Sequence, residues 1–449
     1  MSIFSRFLFW PALAVPLILS PAMAQDFKTA LSSAYRNNPT LKAAQSQLEA
    51  VDTTVAVAQS GWRPTADLRL DGGVGRTTSD GIVNNDIPRS VTLSVVQPIW
   101  RGGRTVAATE SARSDVMAAR ARLRDSEQSV LLDAATTYLD ILQNRQIVEL
   151  NRDNVSALEK QLDDVEHRYR GGELTMTDVQ QAETRLAAAR AEETTAEATL
   201  ESTGASFVRA TGLEPGEMAA PDLQLDLPAT KDETISRALA QNPQIQAASF
   251  DHKSSVNNID VARGALWPEI SLRLDLSDSW NEDASNPGTS KVEEARLLGS
   301  VVVPLYHSGI DYARLAGARA TATARAQQVS VAQQRIEAQA VAAWASYRSA
   351  SSSLSARSQQ VRTAGSALEG VEMENKAGTR SIIDVLDAQQ ELRNGRVSQV
   401  IAARNMILAR LQLAAVTGQM TPEALSLPVT RYDPKPHYDD VDGNWFAGQ

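Results

Sequence analysis

Two carboxylates at the start of a predicted helix are the residues of this chain whose spacing best suits ion chemistry. Asp384 and Asp387 lie three positions apart, so a helix places both side chains on one face. Neighbouring carboxylates can act together on a cation, and like charges held close together raise each other's proton affinity. A structural alternative exists, because Ser381 and Asp384 have the spacing of a capping box and the helix dipole favours acidic residues in a first turn.

An earlier segment of the chain helps to separate these two interpretations. Thr175 and Asp178 repeat the capping-box spacing, which favours a capping role for both Asp178 and Asp384. The residue that corresponds to Asp387 in this earlier segment is the neutral Gln181. The shared turn therefore does not need the Asp387 carboxylate.

Other site chemistry is not indicated. The chain has no cysteine, which excludes disulfides, thiol metal sites, catalytic thiols and a lipidated cysteine anchor. Its four histidines (His167, His252, His307 and His437) show no metal-ligand spacing, and there is no phosphate-binding glycine loop or nucleophile elbow. A net charge of −10 without a basic cluster argues against nucleic acid. We expect no enzyme and no cofactor.

The sequence consists of two similar halves. Asn38-Pro39 recurs as Asn242-Pro243, Pro98 with Gly103 recurs as Pro304 with Gly309, and Gly172 with Asp178 recurs as Gly378 with Asp384. A repeat of this length is a duplicated half-protein and not a solenoid unit. We predict a first structural repeat over residues 25–212, an irregular equatorial linker over 213–230, and a second repeat over 231–418.

The two ends of the chain have different predicted roles. Residues 1–24 combine Arg6, an apolar run and Ala22-Met23-Ala24, which is typical of a cleaved signal peptide; the run is too short to span a membrane and contains Pro11 and Pro16. Residues 419–449 are dense in Pro, Gly and Asp, which predicts an equatorial tail that is partly disordered over its last dozen residues. The sequence therefore predicts an exported protein.

Within each repeat the hydrophobic period changes in a fixed order. The predicted helices cover 27–60, 105–168 and 175–211 in the first repeat, and 231–263, 310–374 and 381–417 in the second. The two shorter helices of a repeat together match the long one, so we expect them to lie end to end beside it. A β-hairpin precedes each long helix, with polar loops at 77–89 and 279–291.

The strands favour a membrane protein over a soluble coiled coil. Ile270, Leu272, Leu274 and Leu276 alternate with polar residues, as a strand with lipid on one face and water on the other requires. Four strands cannot close a barrel, and an edge in hydrocarbon would leave amides unpaired. Several copies must share one barrel, and the sequence alone leaves a dimer and a trimer open.

The sequence resembles the TolC-like outer-membrane export channels over nearly all of residues 27–420. The resemblance rests on the Asn-Pro near the start of each repeat, on residues 96–104 (VQPIWRGGR) and, most specifically, on residues 377–388 (AGTRSIIDVLDA). It implies a mainly α fold with a membrane β-barrel: a homotrimer whose twelve-stranded barrel continues as a long periplasmic α-helical barrel, closed at its far end. It also implies two partners, a periplasmic adaptor protein and an inner-membrane ABC or proton-driven transporter.

The resemblance also assigns residues. Asp384 and Asp387 occupy the family's pore constriction, where they would favour cation conduction that polyvalent cations block. Arg380, Asp178 and Thr177 occupy the link that holds the tip shut, although Asn375 stands where the family usually has a tyrosine. That departure puts the strength of the closed state in doubt.

Two further groups of residues have candidate roles at surfaces. Adaptor contacts are expected at the glycine turns (Gly171, Gly172, Gly378 and Thr379), for which plain turn residues are an equal alternative. An aromatic belt in contact with outer-membrane lipid is expected at the helix-to-strand junctions (Trp62, Trp100, Trp267 and Tyr306).

The predicted function is a passive outer-membrane exit duct of a tripartite export machine, serving either type I secretion or multidrug efflux. A general diffusion porin is an alternative, but a porin would devote most of its length to strands. A periplasmic structural or adaptor coiled coil is another, but it would lack four membrane-length strands.

Overall fold

The fold is mainly helical, as the sequence predicts. The computed structural model describes residues 26–283 and 289–445, so the predicted signal peptide lies outside the described residues. The described helices are α1 (Phe27–Asn37), α2 (Pro39–Gln59), α3 (Arg104–Arg170), α4 (Met176–Thr211), α5 (Lys231–Gln241), α6 (Pro243–Gly264), α7 (Ile310–Lys376), α8 (Ile382–Val416) and α9 (Lys435–Val441). At 67 residues each, α3 and α7 are about 100 Å long.

The Asn-Pro pairs explain how the shorter helices line up beside a long one. Asn38 caps α2 by accepting from the Thr40 amide at 2.9 Å, while its Nδ2 donates to the Ala210 carbonyl at the end of α4. In the second half Asn242 caps α6 in the same way and donates to the Val416 carbonyl of α8 at 3.1 Å. One side chain therefore starts a helix and holds the end of another, so the two shorter helices meet end to end.

The strands form one antiparallel sheet. They are β1 (Thr65–Gly72), β2 (Gly75–Ser79), β3 (Ile82–Arg101), β4 (Glu269–Asp283) and β5 (Thr289–Val302). The sheet order is β1-β3-β4-β5, and β2 pairs with β3 beyond the end of β1. The sheet is therefore four strands wide, as predicted, with β1 and β2 sharing one position. Among the described residues, β1 and β5 each have a neighbour on one side only.

The predicted loops at 77–89 and 279–291 are wrong in extent. Most of their described residues belong to strands, because β2, β3, β4 and β5 all continue into these segments. In the first hairpin the reversal needs only Asp80 and Gly81, both with positive φ, a geometry that suits the tight turns of hairpins. The polar composition thus marks the ends of long strands that are farthest from the helices. Residues 284–288 of the second hairpin lie outside the described residues.

The strand register gives the sheet two different faces. On one face Leu68, Leu93, Leu276 and Ala295 lie side by side across the four strands. The next row on the opposite face consists of Asp67, Ser94, Asp275 and Arg296, and the Ser94 hydroxyl donates to Asp275 at 2.7 Å. Leu68 and Leu276 are 63% and 40% exposed, so residues 26–283 and 289–445 leave this apolar face uncovered.

A close backbone approach joins the sheet to the helices. Gly102, with a φ of +60°, lies so near Gly264 that an added Cβ would sit 2.3 Å from the Gly264 carbonyl oxygen. Beside it, Arg101 and Arg104 both bind Glu269 at the start of β4, at 3.0 and 2.6 Å. The two hairpins therefore leave the helical region from one tightly packed point.

The main core lies beside the irregular segment 213–230, around three aromatic rings. Tyr138 of α3 packs between Phe27 and Phe207, with ring centroids 5.3 and 6.3 Å away. Its hydroxyl donates to the Ala219 carbonyl at 2.9 Å, which fastens the segment to α3.

None of the described helices is long and apolar enough to cross a membrane.

The C-terminal tail is more ordered than the sequence predicts. Tyr432 donates to Glu49 at 3.1 Å, and from there the tail follows α2 to Trp445, whose ring lies under the Arg63 guanidinium. Val441 of α9 is buried at 3% exposure. The prediction of disorder for the last dozen residues is thus wrong for the described part, which ends at 445, because the composition does not reveal these contacts.

A hydrogen bond to a buried carboxyl group anchors this tail. Asp52 of α2 is fully buried, and its Oδ2 lies 3.1 Å from His437 Nδ1 while its Oδ1 has no described hydrogen-bond partner. Burial raises the pKa of Asp52 above its ordinary value of 3.8, and the His437 hydrogen bond opposes that effect. The tail thus covers the Asp52 carboxyl group and supplies its hydrogen-bond partner.

We expect His437→Ala to lower the free energy of unfolding by about 1–3 kcal/mol, since it leaves Asp52 buried without that partner. Thermal unfolding followed by circular dichroism at pH 7 measures the effect. The control is His252→Ala on α6, whose imidazole makes no described hydrogen bond or ion pair. Equal melting temperatures for the two variants would contradict the role assigned to His437.

Candidate functional site at the helical tip

The two turns at the far end of the long helices form one compact tip. The α3–α4 turn and the α7–α8 turn are joined by an apolar cluster of four buried residues, one or two from each of the helices α3, α4 and α8 (Val165, Val179, Ile382 and Val385). Leu368 and Val371 of α7 pack against it. The structure therefore brings together the two turns that the sequence singled out.

Capping boxes start both helices that leave this tip. Asp384 accepts from the Ser381 amide at 3.0 Å and the Ser381 hydroxyl at 2.8 Å, and Asp178 binds Thr175 in the same way at 2.8 and 2.7 Å. These hydrogen bonds hold the pKa of both carboxyl groups below the ordinary value. Within the chain, capping therefore keeps Asp384 and Asp178 ionised, whereas a ring of like charges acts in the opposite direction.

Asp387 has a different partner. Its Oδ1 lies 2.7 Å from Nη2 of Arg185 on α4, and the two side chains are 60% and 44% exposed. The capping interaction does not involve Asp387. The sequence-based distinction between Asp384 and Asp387 thus has a structural counterpart: one carboxylate starts α8, and the other pairs with a neighbouring helix.

The predicted gate link is not formed within the chain. Arg380 Nε binds Glu374 at 2.8 Å, and its Nη1 lies 3.9 Å from Asp384. The described contacts of the Asp178 carboxylate are those with Thr175, and Thr177 is exposed. The link between Arg380, Asp178 and Thr177 that holds the tip shut stays a prediction.

Asn375 tightens its own turn. Its Nδ2 donates to the Arg380 carbonyl at 2.8 Å, and the Thr379 hydroxyl donates to the Glu374 carbonyl at 2.9 Å. These bonds close the loop around Gly378, whose φ of +78° favours glycine. Asn375 thus has a local role that a tyrosine side chain could not reproduce with the same geometry.

The predicted adaptor contacts and belt residues are accessible. Gly171, Gly172, Gly378 and Thr379 are all exposed at the tip. At the other end of the helices, Trp62, Trp100, Trp267 and Tyr306 are 38%, 43%, 59% and 74% exposed at the junctions with the sheet. Exposure agrees with contact roles for both groups, which stay predictions.

Sequence reasoning missed three partners at the tip: Arg185, Glu374 and the amide donor of Asn375. One signal for Arg185 was present in the repeat, because its counterpart in the second half is the oppositely charged Glu391. No sequence signal singles out Glu374 among the five acidic residues of α7. Its pairing with Arg380 depends on how the turn folds back.

The chain matches a family model and known proteins along most of its length. The family model described as outer membrane efflux protein matches residues 30–213 and 234–419. The chain is 29% identical to the outer membrane efflux protein BepC of Brucella suis, over 95% of this chain and 92% of BepC. It is 24% identical to the outer membrane protein TolC of Vibrio cholerae, over 91% of this chain and 94% of TolC.

A solved structure supports the fold independently. A membrane protein from Pseudomonas aeruginosa superposes with a TM-score of 0.78 at 20% identity, covering 90% of this chain and 92% of that one. At this level of identity the likeness concerns the fold alone.

We expect Ser381→Ala to loosen the start of α8, because it removes the hydroxyl that accepts from the Asp384 amide and donates to the Asp384 carboxylate. Loss of a serine cap should speed amide hydrogen exchange over residues 382–386 about fivefold, as measured by mass spectrometry. Ser366→Ala, an exposed position near the C-terminal end of α7, is the control. If both variants exchange alike, the cap does not order this turn.

Proposed function

Because the chain belongs to the outer membrane efflux protein family and is located in the outer membrane, we propose that it is the exit duct of a tripartite efflux machine. The duct is passive and carries small toxic compounds outward. The family consists of channel proteins and not of enzymes. The observation that carries the proposal is a sheet with two open edges, apolar on one face and polar on the other, which joins the end of helices about 100 Å long.

The assembly we propose is a homotrimer with a shared barrel. In lipid the open edges of β1 and β5 need partners, and another copy of the chain offers the complementary edge. Three copies give twelve strands and a barrel wide enough for water, whereas two give eight and a filled interior. The polar rows of the sheet then line the lumen, and the apolar rows, flanked by the aromatic belt, face outer-membrane lipid.

We assign the tip to closure and to docking. In a trimer Asp384 and Asp387 form the pore constriction, and Arg380 leaves Glu374 to bind Asp178 and Thr177 of the neighbouring copy when the tip is shut. The exposed glycine turns receive a periplasmic adaptor protein, which couples the duct to an inner-membrane transporter. A role in type I secretion uses the same parts and differs in the transporter; the name of the efflux relative favours efflux.

The porin and the periplasmic coiled coil fit the molecule less well. A porin builds its channel from strands along most of its length, whereas the two longest elements here are helices of 67 residues. A periplasmic coiled coil has no use for strands with an exposed apolar face.

The number of copies can be counted by crosslinking, because the natural chain has no cysteine. We expect Arg69→Cys on β1, combined in turn with Glu294→Cys or Arg296→Cys on β5, to give covalent dimers and trimers with a short flexible bismaleimide. The single-cysteine Arg69→Cys variant should stay monomeric on a denaturing gel. A ladder that ends at two chains indicates a dimer, and the absence of any ladder rules out a shared barrel built through these edges.

The constriction can be tested by conductance in planar bilayers. We expect the Asp384→Asn, Asp387→Asn double variant to lose cation preference, seen as a smaller reversal potential in a salt gradient. Half-block by spermine should need about tenfold more spermine, because each charge lost weakens cation attraction. The matched control removes two exposed carboxylates from α3, Asp163→Asn with Asp164→Asn. Unchanged selectivity in the double variant rules out Asp384 and Asp387 as the constriction.

A further inference from the structure

The ion pair between Arg185 and Asp387 has no counterpart at the other carboxylate of the tip. Arg185 Nη2 approaches Asp387 Oδ1 to 2.7 Å, and this is the only described hydrogen bond of either side chain. Asp384 instead binds Ser381 through Oδ2, and Arg380 lies 3.9 Å from its Oδ1 while binding Glu374 more closely. The basic group closest to Asp387 thus comes from a different helix, α4.

Packing brings the backbones on either side of this pair close together. The residues next in sequence, Leu186 and Leu386, are both buried in one apolar cluster with Val155 and Leu158 of α3. Buried contacts therefore set the positions from which Arg185 and Asp387 extend, while the two charged side chains themselves are 44% and 60% exposed.

The pair also crosses the two halves of the chain. Asp387 and Glu391 of α8 correspond to Gln181 and Arg185 of α4. Glu391 accepts from Gln360 of α7 at 3.1 Å and has no described basic partner. Arg185 is thus the cation that the first half presents to an acidic face of the second half.

We propose that Arg185 determines the ion selectivity of the constriction by compensating the charge of Asp387. The inference rests on the proposed constriction and deepens it. With Arg185 in place, the negative charge of Asp387 in each copy is largely offset. The opening is then less cation-selective than its number of carboxylates implies.

The test is a charge-exchange series measured as reversal potential in planar bilayers with the full-length trimer. Arg185→Gln should raise the cation-to-anion permeability ratio about threefold, the effect of one unit charge across roughly 6 Å of water. Arg185→Lys should retain the natural ratio. Arg185→Gln combined with Asp387→Asn should return it close to the natural value, because both members of the pair are then neutral.

The control is Arg190→Gln, which removes an arginine of the same helix that pairs with Glu159 of α3 at 2.7 Å. It should leave the ratio unchanged. An unaltered ratio in Arg185→Gln, with a clear loss of cation preference in the Asp384→Asn, Asp387→Asn variant, overturns the role of Arg185 alone. If neither variant changes selectivity, the proposed constriction fails as well. A ratio well below the natural value in the Arg185→Gln, Asp387→Asn variant also overturns the proposal.

Discussion

A strand in hydrocarbon must pair along both of its edges, because lipid offers no hydrogen-bond donors or acceptors. The sheet formed by the described residues does not meet that condition, since β1 and β5 each have one open edge. The same incompleteness extends down the helices, where many alanines and other residues of α4 and α7 are exposed. In the proposed trimer a single chain is one sector of a closed structure, and its exposed surfaces are interfaces.

Much of this sector could be predicted from the sequence, because its elements are long and strongly periodic. The helix bounds agree within a few residues, and the alternation of Leu272, Leu274 and Leu276 with polar residues correctly marks β4. The predictions were wrong where composition was the only guide to pairing and contacts. Polar residues at 77–89 suggested a loop, although Asp80 and Gly81 alone make the turn. The polar composition of the C-terminal tail likewise did not reveal contacts such as that of His437 with Asp52.

At the tip, local rules were predictable and contacts between elements were not. The capping boxes at Thr175 and Ser381 follow from spacing within four residues. The partner of Arg380 depends on how its turn folds back, and the partner of Asp387 depends on which helix lies beside α8. A single sequence does not specify either arrangement. The clearest missed signal is the exchange of Arg185 for Glu391 between the halves, because a charge reversal at equivalent positions indicates different neighbours.

The two tip carboxylates depend on the fold in different ways. Asp384 starts α8, so its charge is tied to the presence of the helix itself. The charge of Asp387 is offset by Arg185, which follows the packing of its neighbour Leu186 in the apolar cluster that also holds Leu386. In the proposed constriction, a motion that separated Leu186 from Leu386 would also unpair Asp387. The position of α8 and the charge that it exposes at the tip would then change together.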